Sequence, residues 1–229
     1  EHPLVFDIIL HSATFFAIAF YFRKEWIGII REGILNLRAG YSSAGHDDSR
    51  TLLKIIVASV PILLVGFLYG EKIEYSCRDP FMIALTLGLF GLFLYLAELR
   101  GRKDGSMQSI TLQAAFIIGL AQVFALMPGV SRSGVTITAA LMLGLNRESS
   151  VKFSFLLGAP IILSASLYSL KEFGQLCRTI SPAALLLGFL AAFISSLITI
   201  HFLLTFVRRH SFAPFCLYRI ALSLIILFV

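Results

Sequence analysis

The stretch LMPGVSRSGVT, Leu126–Thr136, interrupts an otherwise apolar part of the chain, and its reading decides the fold. The segment that holds it, Ile110–Leu145, is too long for one membrane span, and Pro128, Gly129 and Gly134 stop one helix and start another. It is either a kinked crossing or a hairpin that returns to the side it came from. A hairpin leaves every later loop where it was, whereas a crossing inverts them all.

That the setting is a bilayer follows from composition: of 229 residues, 58% are hydrophobic and 14% charged. Apolar runs near Leu4–Phe22, Leu52–Tyr69, Phe81–Leu99, Val151–Leu170, Ala183–Val207 and Ala213–Val229 each have about the 17–25 residues that a spanning helix needs. The net charge of +6 does not point to nucleic acid, because basic residues beside apolar spans mark cytoplasmic loops. The chain opens Glu-His-Pro, without methionine or a basic n-region, so no signal peptide is expected and the start reads as that of a fragment.

Basic-residue bias separates the two topologies. With a hairpin, one side carries twelve Lys and Arg, from the loops at 23–50, 100–103, 147–152 and 208–209, against four on the other, Lys72, Arg78, Lys171 and Arg178. A crossing gives ten against six. The hairpin is therefore expected, entered from the cytoplasm, with both termini of the chain facing outward. Within the long polar connection, RKEWIGIIREGILNLRAG puts Trp26, Ile29, Ile30, Ile34 and Leu37 on one face of an interfacial amphipathic helix, and YSSAGHDDSR reads as a surface loop.

The chain also resembles itself. FDIILHSATFFAIAFYFRKEW from Phe6 aligns without gaps with FSFLLGAPIILSASLYSLKEF from Phe153, including Tyr21/Tyr168, Lys24/Lys171 and Glu25/Glu172. Three spans separate the copies, which predicts inverted repeats. Residues 1–108 form the first repeat, with three spans and the interfacial helix and loop at 23–50. Residues 109–229 form the second, with a re-entrant hairpin at 109–145 and three spans. The fold class expected is thus an all-α integral membrane protein with six transmembrane helices plus one re-entrant helix-loop-helix. The counterpart of that hairpin, the first of two, is absent and expected upstream of Glu1.

At membrane depth, non-helical backbone persists only inside protein or beside a wet cavity, and a charged side chain there marks function. Arg132 meets both conditions. A helix starting near Ser131 offers free N–H groups and a positive dipole end. The Ser131, Ser133 and Thr136 hydroxyls, the forked Arg132 guanidinium, and close approach at Gly129 and Gly134 all suit a phosphate group. Gln122 and Ser154 flank the hairpin and are the neighbours expected to reach the site. Asp7, His11 and Thr14 share one face of the first span, and either a common polar cavity or helix-to-helix hydrogen bonding accounts for them. Arg219, in the middle of the last span, demands a partner that its position does not name. Cys77, Cys177 and Cys216 have neither metal spacing nor CxxC, although Cys77 and Cys177 fall in the two outward loops.

The pattern Gly119-x-x-Gln122-x-x-Ala125-x-x-Pro128-Gly129-x-Ser131-Arg132-Ser133-Gly134-x-Thr136, followed by Arg147 and FSFLLGAP, closely resembles the second signature of the undecaprenyl-pyrophosphate phosphatases, also called bacitracin-resistance proteins. The resemblance extends to FDIILHSATFFAIAFYF and FAPFCLYRIAL and so covers essentially the whole chain. It implies six spans and two re-entrant hairpins. The implied activity is hydrolysis of polyprenyl pyrophosphate in the bacterial plasma membrane, recycling a lipid carrier of cell-wall synthesis.

The candidate catalytic residues are thus Arg132, Ser131 and Ser133, with Ser133 as a candidate nucleophile lacking any visible base, and the candidate substrate contacts are Gly129, Gly134, Thr136, Gln122, Ser154 and His11. The resemblance also implies a divalent cation, Mg²⁺ or Ca²⁺, whose ligands are not identifiable in this chain. The family's first signature, rich in Glu, has no match here, so the nucleophile and base go unassigned and the chain on its own is expected to lack catalysis. A transporter or flippase of polyprenyl phosphate is the rival reading, since inverted repeats meeting at broken helices also build transporters. Phosphate release separates the two.

Overall fold

The computed structural model describes residues 3–38, 49–101, 104–169 and 181–228. They form nine α-helices and no strand: α1 Pro3–Tyr21, α2 Arg23–Arg38, α3 Ser49–Ser76, α4 Pro80–Arg100, α5 Leu112–Val123, α6 Arg132–Met142, α7 Arg147–Ser169, α8 Pro182–Arg209 and α9 Ala213–Phe228. Short 3₁₀ turns at Met107–Ser109 and Phe124–Leu126 flank α5. The chain is an all-α integral membrane protein. Four helices contain stretches long and apolar enough to cross a bilayer, Arg50–Gly70, Pro80–Arg100, Arg147–Leu167 and Pro182–Arg209, and Ile9–Tyr21 of α1 and Ala213–Phe228 of α9 are further apolar stretches.

Helix starts follow local chemistry. Asp79 caps α4 by accepting from the N–H groups of Phe81 and Met82, Thr111 caps α5 through Ala114 N, and Ser181 caps α8 through Ala184 N. Pro80 and Pro182 occupy first-turn positions, where a missing N–H costs nothing.

α5 and α6 have 12 and 11 residues. At about 1.5 Å per residue each is roughly 17–18 Å long, short of the ~30 Å hydrocarbon core. The segments that enter and leave the pair bond to each other: Gly105 N donates to Gly144 O at 2.9 Å, and Asn146 N donates to Gly105 O at 2.7 Å. The segment therefore ends where it began, and the structure resolves the ambiguity at Pro128 in favour of a re-entrant hairpin. Gly144, with φ +92°, makes the turn out of α6.

The same end of the bundle carries a polar layer. Arg147 holds the buried carboxylate of Glu98 through Nε at 2.9 Å and through Nη2, tying the start of α7 to the end of α4. Lys152 pairs with Glu25 at 2.9 Å and Arg208 with Glu148 at 2.6 Å. The basic-residue bias predicts this end to be cytoplasmic.

Small residues let the helices approach. Gly119 of α5 lies against the backbone of Ala58 on α3, where an added Cβ would come within 2.5 Å of Ala58 O. Gly88 and Gly91 of α4 lie against Ser223 and Arg219 of α9, and Ser223 Oγ donates to Ala84 O at 2.6 Å. The broadest packing is α4 on α9, α3 on α5 and α1 on α8, with α7 against α1, α3, α6 and α8.

α2 corrects one expectation. Ile29 and Gly33 face the protein, with Gly33 on Leu52 of α3, and Trp26 packs against the core, but Ile30 and Ile34 are exposed together with Ile27. An interfacial helix packed on its own protein faces protein on one flank and lipid on the other, so its apolar residues divide into two stripes. The side chains of Asp7 and Leu37, the loop at 39–48, Lys171, Glu172 and Cys177 lie outside the described residues.

Candidate functional site

The Pro128–Ser131 turn is shaped by two unusual backbone conformations. Gly129 has φ +88°, and a Cβ there would meet Thr86 Oγ1 at 2.3 Å and Ile83 O at 2.5 Å, so only glycine fits between the turn and α4. Ser131 has φ +66°, the sole non-glycine residue with positive φ among the described residues. Strain of this kind, on the order of 1–3 kcal/mol, concentrates at functional positions.

Ser131 caps α6: its Oγ accepts from Gly134 N at 3.2 Å, while its carbonyl accepts from Val135 N at 3.0 Å. The cap leaves the N–H groups of Arg132 and Ser133 without a helical partner, at the positive end of the α6 dipole. Ser131 is exposed, and Arg132 and Ser133 are half-buried.

Arg132 extends to α7. Its guanidinium lies flat against Gly158, whose missing side chain makes the room: a Cβ there would sit 2.2 Å from Nη1 and 2.7 Å from Nη2. Nη1 is buried and has no hydrogen-bond partner among the described residues. Buried donors in folded proteins are nearly always satisfied, and a guanidinium N–H left open in an apolar wall is what an anion would satisfy.

Thr136 and Ser154 are both buried, and their hydroxyls meet at 2.7 Å; Thr136 Oγ1 also donates to Arg132 O at 3.0 Å or Ser133 O at 3.1 Å. The pair thus fixes the first turn of α6 to α7, one helical turn from Gly158. Gln122 is fully buried, and neither its Nε2 nor its Oε1 has a partner among the described residues. His11 is exposed on α1, which packs mainly on α7 and α8. Thr14 bonds to Leu10 O at 3.0 Å and lies 3.4 Å from Ser196 Oγ of α8, a helix-to-helix contact.

Three further residues carry the site. Arg219 of α9 donates through Nη2 to Gly129 O at 3.0 Å and Val130 O at 2.8 Å, which supplies the partner its position required. Thr86 Oγ1 lies 2.6 Å from Pro128 O, and Gly158 receives Arg132. Sequence reasoning singled out Arg219 by its charge. It missed Thr86 and Gly158, whose only signal is a small or hydroxyl residue inside a span.

A cavity of about 650 Å³ lies between α3 and α7, bounded by Leu126 of the 3₁₀ turn, Gly66 and Lys72 of α3, and Ile161 and Ser164 of α7. Neither His11 nor any residue of Ser131–Gly134 lines it.

Residues 1–225 match the family described as Bacitracin resistance protein BacA. The chain belongs to this family. It is 42% identical over 229 residues to an undecaprenyl-diphosphatase of Elusimicrobium minutum (strain Pei191), covering 98% of this chain and 82% of the relative. A protein of the same name from Geotalea daltonii is 42% identical over 229 residues (97% and 83% covered). One from Alteromonas mediterranea is 38% identical over 224 residues (98% and 83% covered). The re-entrant turn with Arg132 therefore lies within the part of the chain that the family shares.

Proposed function

We propose that this protein is a multi-pass phosphatase of the bacterial plasma membrane. It hydrolyses undecaprenyl, or another polyprenyl, pyrophosphate to the monophosphate and inorganic phosphate, returning the carrier lipid to cell-wall synthesis. The names of the relatives support the substrate. The observation that carries the reading on this chain is Arg132, charged, forked, with one nitrogen buried and without a partner among the described residues, at the mouth of a re-entrant helix start.

In phosphoryl transfer the protein positions groups and stabilises charge on the equatorial oxygens. Arg132 grips two oxygens of the diphosphate, the N–H groups of Arg132 and Ser133 face it, and the Thr136–Ser154 pair holds α6 against α7. Ser131 Oγ caps α6, which leaves Ser133 as the less committed hydroxyl of the two. Gln122, Gly129 and Gly134 shape the wall behind the turn.

Mg²⁺ or Ca²⁺ would neutralise the diphosphate. Among the described residues no group of three or more His, Cys, Asp or Glu is placed to hold a metal ion, and the turn itself is made of donors, so the fit on these residues is poor and no step is routed through the ion.

The chain divides into an inverted pair, 1–108 and 109–229. In support, the packings of α1 on α8 and of α3 on α7 exchange under such a relation, while α4 on α9 and α1 on α7 map onto themselves. The test is phosphate release from a polyprenyl pyrophosphate by the purified full-length protein in lipid vesicles. Translocation of an uncleaved lipid without phosphate release would instead fit a transporter.

A further inference from the structure

We infer that Arg219 and Thr86 are positioning residues that aim the backbone of the Pro128–Ser131 turn, so that its N–H groups and Arg132 present themselves to the diphosphate. The inference rests on the phosphatase reading for its substrate and on geometry for the rest. Three consecutive carbonyls, those of Pro128, Gly129 and Val130, belong to no helix, and each is engaged by a neighbouring helix. Thr86 of α4 lies 2.6 Å from the first, and Arg219 of α9 donates to the second and third at 3.0 and 2.8 Å.

In a planar trans peptide the N–H of the next residue points opposite to the carbonyl. Turning these three carbonyls toward α4 and α9 therefore turns the N–H groups of Gly129, Val130 and Ser131 the other way. Val130 N is taken within the turn by Met127 O at 3.3 Å, which leaves Gly129 and Ser131 N–H beside those of Arg132 and Ser133. The result is a run of donors with the acceptors drawn back, the backbone arrangement that receives anions. Left unheld, the same carbonyls would present partial negative charge to a diphosphate.

The rest of the clamp is built around Arg219. Gly134 has no side chain, and a Cβ there would lie 2.6 Å from Arg219 Nη1. Gly91 lets the Arg219 backbone sit close to α4, where a Cβ would meet Arg219 Cβ at 3.2 Å. Arg219 itself is buried. It touches the turn from behind, whereas Arg132 leaves the same turn toward α7.

The experiment is a double-mutant cycle in the full-length protein, with phosphate release normalised to folded, monodisperse protein. Arg219→Met should lower kcat by about 100-fold, the loss expected when a reacting group is misplaced by about 1 Å. In an Arg132→Lys background, where the positioned group is already impaired, the same change should lower it by less than about threefold. An equal loss in both backgrounds would mean that Arg219 only supports the fold.

If Arg219→Met does not insert as folded protein, Thr86→Val carries the test, with about a 10-fold loss of kcat expected and Thr86→Ser restoring it. A serine variant no better than valine would overturn the clamp. Should the parent release no phosphate from the lipid, the phosphatase reading fails separately. The clamp is then read from calorimetric binding of inorganic pyrophosphate, weakened at least about 10-fold by Arg219→Met or Thr86→Val if it is right and unchanged if it is wrong.

Discussion

Replacing Gly158 with alanine adds one methyl group to α7 at the point where the Arg132 guanidinium rests. The new Cβ would stand 2.2 Å from Nη1, 2.7 Å from Nη2 and 2.9 Å from Cζ. An ordinary contact needs about 3.5 Å, so the guanidinium must move away from the wall of α7 by more than about 1 Å. A displacement of that size at a reacting group is worth about 100-fold in rate, or about 2.7 kcal/mol of transition-state stabilisation. The helix itself gains, since alanine is preferred over glycine in a helix interior by roughly 0.5–1 kcal/mol.

Gly158→Ala should therefore insert and fold at least as well as the parent while losing nearly all phosphate release. The assay is phosphate release in vesicles alongside thermal unfolding in detergent. Gly28→Ala on α2, where a Cβ meets nothing within 4 Å, is the control for the chemical change alone. A Gly158→Ala protein with activity within about threefold of the parent would refute the argument, because Arg132 would then work from somewhere other than the wall of α7.

Thr136→Val leaves the buried Ser154 hydroxyl without its partner and should destabilise the protein by about 1–3 kcal/mol, whereas the double change with Ser154→Ala should recover much of that; melting curves of the three variants check it. Burial pushes the Glu25 carboxyl up, but the hydrogen bond and charge of Lys152 outweigh it and hold its pKa below the ordinary 4.5. The stability this contributes, about 1 kcal/mol or less, is fully present above the ordinary value and is lost as pH falls through the lowered one, and Glu25→Gln should abolish that part of the pH dependence of melting. A cysteine at Arg147 should resist an impermeant outside reagent, and one at Lys72 should react with it; the reverse pattern would turn the molecule over in the membrane.

Much of this was legible in the sequence because the relevant physics is local. Pro128 and Gly129 in an apolar segment break a helix whatever surrounds them, and Arg132 at that depth needs a reason. The distribution of Lys and Arg favoured a hairpin, and the Gly105–Gly144 and Asn146–Gly105 bonds close it. What remained hidden depends on neighbours far along the chain. Thr86 is an unremarkable hydroxyl in a span until Pro128 arrives from 42 residues away. Gly158 is one small residue among several on α7, and only the approach of Arg132 gives it a task. Arg219 announced a buried charge, but nothing in FAPFCLYRIAL says that its partners are two carbonyls in the turn. The two stripes of α2 were merged for a related reason, since periodicity finds apolar residues without saying which face protein and which face lipid.

The most direct test of the account is phosphate release from undecaprenyl pyrophosphate in vesicles by the purified full-length protein, compared with its Arg132→Lys variant. Lysine keeps the charge but not the planar fork that grips two oxygens. The account predicts steady release of inorganic phosphate by the parent and loss of most of it in a variant that is folded and inserted. Release by the variant at the parent rate, or lipid left uncleaved by a folded parent, would contradict it.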